Sequence, residues 1–287
     1  EPSYGVDAGV VITASHNPKE YNGFKIALGK RSFYGDDLQE LYHAMCTLEP
    51  CERMSLEHSS LQLVDDYVQR IASGVRLNRK LRVVVDGGNG SGGVAVLAMC
   101  KALGVEAHGL YCEPDGNFPN HHPDPTVAEN LVDLQDAVLR HGADFGFALD
   151  GDADRVGVVD ERGEIIVGDR LLLLLATELL RVNPGAVVIG EVKCSSDLFS
   201  GISRAGGKAV MSAVGHSILK DRMVSEGALL AGEMSGHIYF ADRYYGFDDV
   251  LYAAARLMEI VSSREEPLSW WFKDLPEKPA SPEIRVD

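Results

Sequence analysis

Leu81-Arg82-Val83-Val84-Val85-Asp86-Gly87-Gly88-Asn89-Gly90-Ser91-Gly92-Gly93 decides the fold, because it holds three signals in order. A β-branched apolar run of strand length comes first, a glycine-rich loop follows, and a helical period then runs from Val94 to Leu103. The same succession recurs on either side. Gly9-Val10-Val11-Ile12 opens into Thr13-Ala14-Ser15-His16-Asn17-Pro18, and Ala186 to Ile189 opens into Gly190 to Asp197 before a helical stretch from Leu198 to Ala205. Strand, loop and helix in alternation predict consecutive α/β domains with mixed, mostly parallel sheets. Ligands of such sheets gather at the carboxyl ends of strands, which is where the chemistry-bearing loops of this chain fall.

The bulk numbers narrow the field. At 287 residues the chain has room for two or three domains, and 45% hydrophobic with 24% charged residues describes a soluble globular protein. A net charge of −16 argues against nucleic acid and anionic membranes as partners, so an anionic substrate must be captured by local basic groups. The longest apolar stretch, Leu171 to Ala176, is too short to span a bilayer, and no secretory signal is visible. Five cysteines without metal-ligand spacing (Cys46, Cys51, Cys100, Cys112 and Cys194) favour a reduced, cytoplasmic setting.

Asp150-Gly151-Asp152-Ala153-Asp154-Arg155 alternates carboxylates between two strand-like runs, Phe145 to Leu149 and Val156 to Val159. Carboxylates this close repel by about 4 kcal/mol per pair at roughly 4 Å and an effective dielectric of about 20. The loop therefore needs solvent, protons or a cation. Oxygen-only donors select a hard ion, Mg²⁺ foremost, and Arg155 offers a planar fork that fits phosphate. A metal beside such a fork is equipment for phosphoryl transfer. A solvated acidic turn is the plain alternative. A calcium loop would place Glu161 twelfth from Asp150, but its sixth position requires glycine and holds Arg155.

Other loops carry weaker signals. Ser15 stands at a strand end, where a hydroxyl can serve as nucleophile, although a turn or helix cap would read the same way. Lys25 is either a charge partner for a phosphorylated serine or a surface lysine. Gly88 to Gly93 fits G-x-G-x-x-G and raises an NAD(P)-dependent oxidoreductase as a rival, but no ribose-binding acid follows at a second strand end. Gly232-Glu233-Met234-Ser235-Gly236-His237 groups acceptor, hydroxyl and imidazole, suited to sugar hydroxyls and a proton. His121-His122, among prolines, reads as structural.

In this order the loops resemble the α-D-phosphohexomutase superfamily, and within it bacterial phosphomannomutase/phosphoglucomutase. The carrying stretches are Thr13 to Pro18 with Gly23-Phe24-Lys25-Ile26, Asp150 to Arg155, Glu191-Val192-Lys193-Cys194, Gly215-His216-Ser217 and Gly232 to His237. Asp115 to Pro125 and Tyr245-Gly246-Phe247-Asp248-Asp249 support them. The resemblance implies that Ser15 carries a phosphoryl group and that Mg²⁺ is held by Asp150, Asp152, Asp154 and Ser15. It places His16, Lys25 and Arg155 around the transferring group. Lys193, Gly215, His216, Glu233, Met234, Ser235 and Gly236 become substrate-binding, and His237 a substrate-binding proton carrier. Sugar 1-phosphate and 6-phosphate then interconvert through glucose 1,6-bisphosphate or mannose 1,6-bisphosphate, in a chain expected to act as a monomer. A non-catalytic phosphosugar- or calcium-binding module is the alternative outside enzymes.

The resemblance divides the chain at 1–72 (phosphoserine loop), 73–164 (metal loop), 165–275 (sugar loop) and 276–287 (linker), with Asp65 to Ser73 as a helix closing the first unit. Both ends read as interrupted: residues 1–3 lack methionine, residues 276–282 read as a linker, and the resemblance leaves a fourth domain missing. The chain alone is therefore expected to bind Mg²⁺ and to show little or no mutase turnover. Two departures stand out. Ala153 replaces a usual glycine, which is harmless unless that position needs positive φ, and Val214 replaces a usual threonine.

Overall fold

The computed structural model describes residues 6–29, 31–49 and 59–275; Cys51 and the linker at 276–287 lie outside them. The first unit departs from strand–helix alternation. Strand β1 (Ala8–Thr13) turns back through the Ser15 loop into β2 (Gly23–Leu28), pairing antiparallel from Ala8 opposite Leu28 to Thr13 opposite Gly23. Strand β3 (Arg31–Ser32) borders β2, and helix α1 (Asp36–Thr47) follows. The helix expected directly after the Ser15 loop is thus a strand. Pro18 and Asn22-Gly23 are turn formers, and Phe24-Lys25-Ile26 alternates with the two-residue period of a strand.

Beyond residue 59 the expected alternation holds. Helix α2 (Val64–Ser73) precedes β4 (Arg82–Asp86), α3 (Gly93–Ala102), β5 (Glu106–Leu110), α4 (Val132–His141), β6 (Phe145–Leu149), β7 (Val156–Asp160) and β8 (Ile165–Ile166). Their sheet runs β5-β4-β6-β7-β8, with β4 parallel to β5 and β6, and β7 antiparallel to both its neighbours. Helix α2, read from sequence as closing the first unit, packs against α3 and buries Val68 and Ile71 in the main core.

The third unit comprises α5 (Gly168–Val182), β9 (Val187–Glu191), α6 (Ser196–Arg204), β10 (Lys208–Ser212), α7 (His216–Glu226), β11 (Leu230–Gly232), β12 (Ile238–Phe240) and α8 (Val250–Ser262). Strand β9 lies between and parallel to β10 and β11, and β12 closes the sheet antiparallel to β11. The aspartate loop and the 233–237 loop therefore arise from the same device, a hairpin appended where a parallel strand ends. The two hairpins touch, since the Val156 N–H donates to the Gly236 carbonyl at 3.1 Å. Behind them one core joins both units, with Phe145 and Phe147 of β6 in the same cluster as Leu171 to Leu175 of α5 and Leu257 of α8.

Among the described residues of the first unit, none from 6 to 49 belongs to this core. Along β1 every residue is exposed except half-buried Thr13, and α1 has no buried residue. Polar contacts tie the unit down: Lys19 Nζ donates to Asn117 Oδ1 at 2.7 Å, and the Tyr34 hydroxyl donates to the Asp221 carboxylate. Amides that open without exposing a core exchange early. The amides of β1 and β2 are expected to exchange at least about 100-fold faster than those of β4 in native-state hydrogen exchange. Equal protection would contradict this division.

Candidate active site

Thr13 ends β1 opposite the tip of the β6–β7 hairpin. Its hydroxyl donates to Asp152 Oδ2 at 2.9 Å and accepts the Ser15 N–H at 3.0 Å. That bridge sets Ser15, held at φ +54°, against the aspartates. The Ser15 hydroxyl donates to Asp150 Oδ2 at 2.9 Å and lies 3.1 Å from His16 Nδ1. Such close approach requires Gly151, because a Cβ there would stand 2.2 Å from the Ser15 carbonyl oxygen. Lys25 on β2 reaches the same hairpin, with Nζ at 3.0 Å from Asp152 Oδ2 and 2.7 Å from Asp154 Oδ2.

Arg155 is buried, and each of its three side-chain nitrogens has a partner. Its Nε donates to Asp150 Oδ2 at 3.0 Å, one terminal nitrogen to Asp124 Oδ1 at 3.3 Å, and the other to His16 Nδ1. A guanidinium can only donate, so His16 Nδ1 accepts and the neutral ring carries its proton on Nε2. Burial, reinforced by the Arg155 charge, lowers the His16 pKa and keeps the ring neutral.

Asp150 is wholly buried, and its Oδ1 accepts the backbone N–H groups of Asp154 at 2.9 Å and Arg155 at 3.1 Å. Burial, then the charges of Asp154 and Asp152, push its pKa up to about 6. Burial would raise Asp154 too, but His237 and Lys25 hold it well below the usual carboxylate range. Lys25 is raised in turn, the two aspartates overriding the opposing effect of burial.

Ligand atoms of Asp150, Asp152 and Asp154 lie within 4.8 Å of one another. Asp152 Oδ1 and Asp154 Oδ1 are buried and make no hydrogen bond. Two buried anionic oxygens without a hydrogen-bond donor, beside a third carboxylate, would fit a hard divalent cation. The trio forms a cluster of acidic oxygens whose geometry and donor type would suit a metal ion.

The second hairpin faces the first. His237 Nε2 approaches Asp154 Oδ1 at 3.2 Å, an ion-pair contact without hydrogen-bond geometry, and its Nδ1 lies 3.3 Å from Glu233 Oε2 and 2.9 Å from Ser235 Oγ. Burial opposes protonation of His237, yet Asp154 and Glu233 raise its pKa to about 9, leaving it charged at neutral pH. Glu233 is buried, accepts from the Tyr239 hydroxyl at 3.2 Å and keeps a lowered pKa, the His237 contact outweighing burial.

Gly215 precedes α7 and His216 begins it, with a pKa lowered by burial and by Lys220. Lys193 lies exposed in the turn after β9, and the Met234 N–H donates to Glu191 Oε1 at 3.1 Å. The structure thus brings Ser15, His16, Lys25, Arg155, the three aspartates, Glu233, Ser235 and His237 into one connected cluster.

Sequence reasoning missed Thr13, Asp124, Tyr239 and the Lys220–Asp248 ion pair at 3.2 Å. Asp124 lies in the segment read as structural, where His122 also meets the His16 ring edge-on at 5.8 Å. A proline-bounded polar segment following a strand was the available signal.

His121 binds Asp86 Oδ2 at 2.9 Å. That hydrogen bond, against some desolvation, raises the His121 pKa. A raised cationic group stabilises the fold fully below its ordinary value of 6.5 and loses that contribution as pH climbs through the folded value. His121→Gln should therefore cost about 1 kcal/mol more at acid than at alkaline pH in thermal unfolding. A pH-independent difference would contradict the pairing.

The glycine turn does not cradle a pyrophosphate. A Cβ on Gly90 would lie 2.7 Å from the Gly151 carbonyl oxygen, one on Gly92 2.6 Å from the Ala153 Cβ, and one on Gly93 2.2 Å from the Cys112 carbonyl oxygen. These glycines let chain pack on chain beneath the aspartate loop, which removes the basis for the oxidoreductase reading. Ala153 itself is held at φ +61°, the conformation in which alanine is strained. Ala153→Gly is expected to raise stability by about 0.5–1 kcal/mol in denaturant unfolding, and a loss of that size would contradict the strain.

Three family models match in succession. Those for phosphoglucomutase/phosphomannomutase α/β/α domains I, II and III match residues 2–47, 65–163 and 167–278. A phosphomannomutase/phosphoglucomutase of Pseudomonas putida is 46% identical over 98% of this chain and 60% of its own length. A phosphoglucomutase of Neisseria gonorrhoeae is 45% identical over 97% of this chain and 61% of its own. A solved phosphoglucomutase/phosphomannomutase family protein of Burkholderia thailandensis superposes with a TM-score of 0.91 at 45% identity, over 96% of this chain and 60% of that one. The chain spans about three fifths of the length of the curated relatives it matches. With its α/β units and their order matched domain by domain, the chain belongs to the α-D-phosphohexomutase superfamily.

Proposed function

We propose that the chain carries the phosphoryl-transfer and sugar-reading centre of a hexose phosphate mutase, which interconverts the 1-phosphate and 6-phosphate of glucose, mannose or both. One observation carries the reading: a strained serine hydroxyl stands 2.9 Å from Asp150 within a carboxylate trio flanked by Lys25 and Arg155. The two curated relatives named above bear the names of this activity.

Asp150, Asp152, Asp154 and a phosphate oxygen on Ser15 would hold Mg²⁺, which supplies charge neutralisation for a transferring phosphoryl group. The remaining chemistry belongs to side chains. Ser15 Oγ gives its phosphoryl group to a sugar hydroxyl and later takes back the other phosphate of the bisphosphorylated sugar once that sugar has turned over in the cleft. Lys25 and Arg155 offset charge building on the equatorial oxygens. Glu233 and Ser235 accept from and donate to sugar hydroxyls, with Met234, Gly236, Lys193, Gly215 and His216 lining the approach. Charged His237 would act as the acid, giving its proton to the sugar oxygen from which a phosphoryl group returns to Ser15.

In this reading residues 1–72 supply the phosphoserine loop, 73–164 the metal loop and 165–275 the sugar loop. A cytoplasmic setting accords with free Cys46, Cys100, Cys112 and Cys194. Among the described residues no helix is long and apolar enough to cross a membrane. Phosphorus NMR of glucose 1-phosphate with the chain, Mg²⁺ and a trace of glucose 1,6-bisphosphate tests the proposal, since it registers even slow turnover. Glucose 6-phosphate should accumulate toward equilibrium. A static spectrum, together with no transfer of phosphate from glucose 1,6-bisphosphate to Ser15, would overturn the assignment.

A further inference from the structure

Glu191 is the last residue of β9 and is completely buried. A buried carboxylate is costly unless its oxygens are satisfied, so what satisfies them indicates its use. Oε1 accepts the N–H of Met234 at 3.1 Å, and Oε2 accepts the N–H of Lys193 at 3.4 Å. Those amides belong to different turns, one after β11 and one after β9. Gly190 pairs with Gly232 across the two strands, so Glu191 stands at the mouth of the sheet beside Glu233. The two acids divide the labour: Glu233 faces hydroxyl and imidazole partners, whereas Glu191 grips main chain.

Resting on the mutase reading above, we infer that Glu191 is the positioning residue of the sugar site, clamping the Lys193 and Met234 turns in one register so that Glu233, Ser235 and Lys193 address the same hexose. Its side-chain hydrogen bonds go to Lys193 and Met234, not to the serine loop or the aspartate trio. Its loss should loosen sugar recognition and spare metal binding. Carboxylate acceptors make the stronger class of hydrogen bond to backbone N–H, and placement errors of about 1 Å are enough to lose binding.

The test compares the wild-type chain with Glu191→Ala, which removes both acceptors, and Glu191→Gln, which keeps one. Calorimetry on each protein measures glucose 1-phosphate affinity in the presence of Mg²⁺, and Mg²⁺ affinity alone. The expected result is glucose 1-phosphate binding weakened about tenfold or more in Glu191→Ala and less in Glu191→Gln, with Mg²⁺ affinity held within about twofold. If the alanine variant does not fold, the glutamine variant carries the same pair of readings. Unchanged sugar affinity in the variants, or a parallel fall in both ligands, would overturn the inference alone. A wild-type chain that binds Mg²⁺ but no glucose 1-phosphate would overturn the mutase reading and this inference with it.

Discussion

Asp150→Asn is expected to weaken Mg²⁺ binding by about 100-fold or more, since even outer-shell partners of metal ligands account for roughly 10–100-fold. The substitution conserves volume and leaves an oxygen for the Asp154 and Arg155 N–H groups that Oδ1 now accepts. What changes is Oδ2, which receives both the Ser15 hydroxyl and Arg155 Nε. An amide NH₂ there opposes two donors and removes one anionic ligand from the trio. Arg155, 7% exposed, then keeps only Asp124 as a carboxylate partner. Breaking a buried pair from one side costs about 3–5 kcal/mol, so a drop in melting temperature should accompany the loss. Calorimetric titration with Mg²⁺ measures the effect. Affinity within about threefold of wild type would show that the ion binds elsewhere.

Ser15→Ala separates chemistry from binding. The hydroxyl is the acceptor of the proposed transfer, so turnover should fall by roughly 10⁴–10⁶, as when a nucleophile is removed from other covalent catalysts. Mg²⁺ affinity should change far less, because Asp150, Asp152 and Asp154 remain. Stability should also hold: alanine at φ +54° is no more strained than serine, and the hydrogen bond lost is a single partly buried one. A sensitive isotope-exchange assay between glucose 1-phosphate and glucose 6-phosphate reads the loss. Retained exchange would move the nucleophile elsewhere in the cleft.

The sequence exposed the strand–loop–helix units after residue 59 because β-branched runs such as Val83-Val84-Val85 and the leucines of α5 are buried and have few alternatives. It exposed the aspartate loop because closely spaced like charges need a physical reason. The first unit was misread after Ser15, where a strand and a helix share the same short apolar content and only the pairing partner decides. Asp124 and Glu191 escaped for another cause. Their roles depend on which backbone and guanidinium groups the fold carries to them, across 31 residues for Asp124 to Arg155 and 43 for Glu191 to Met234; a local pattern flags the polar segment around Asp124 but not its partner. Ala153 shows the converse: a conditional stated from sequence, harmless unless φ is positive, meets its condition at +61°.

Incubation of the chain with glucose 1,6-bisphosphate, followed by intact mass measurement and peptide mapping, addresses the central claim that Ser15 and the aspartate trio form one transfer centre. One phosphate should appear, located on Ser15, and chelation of divalent ions should prevent it. Phosphate on another residue, or labelling of Ser15 that is indifferent to chelation, would contradict the account.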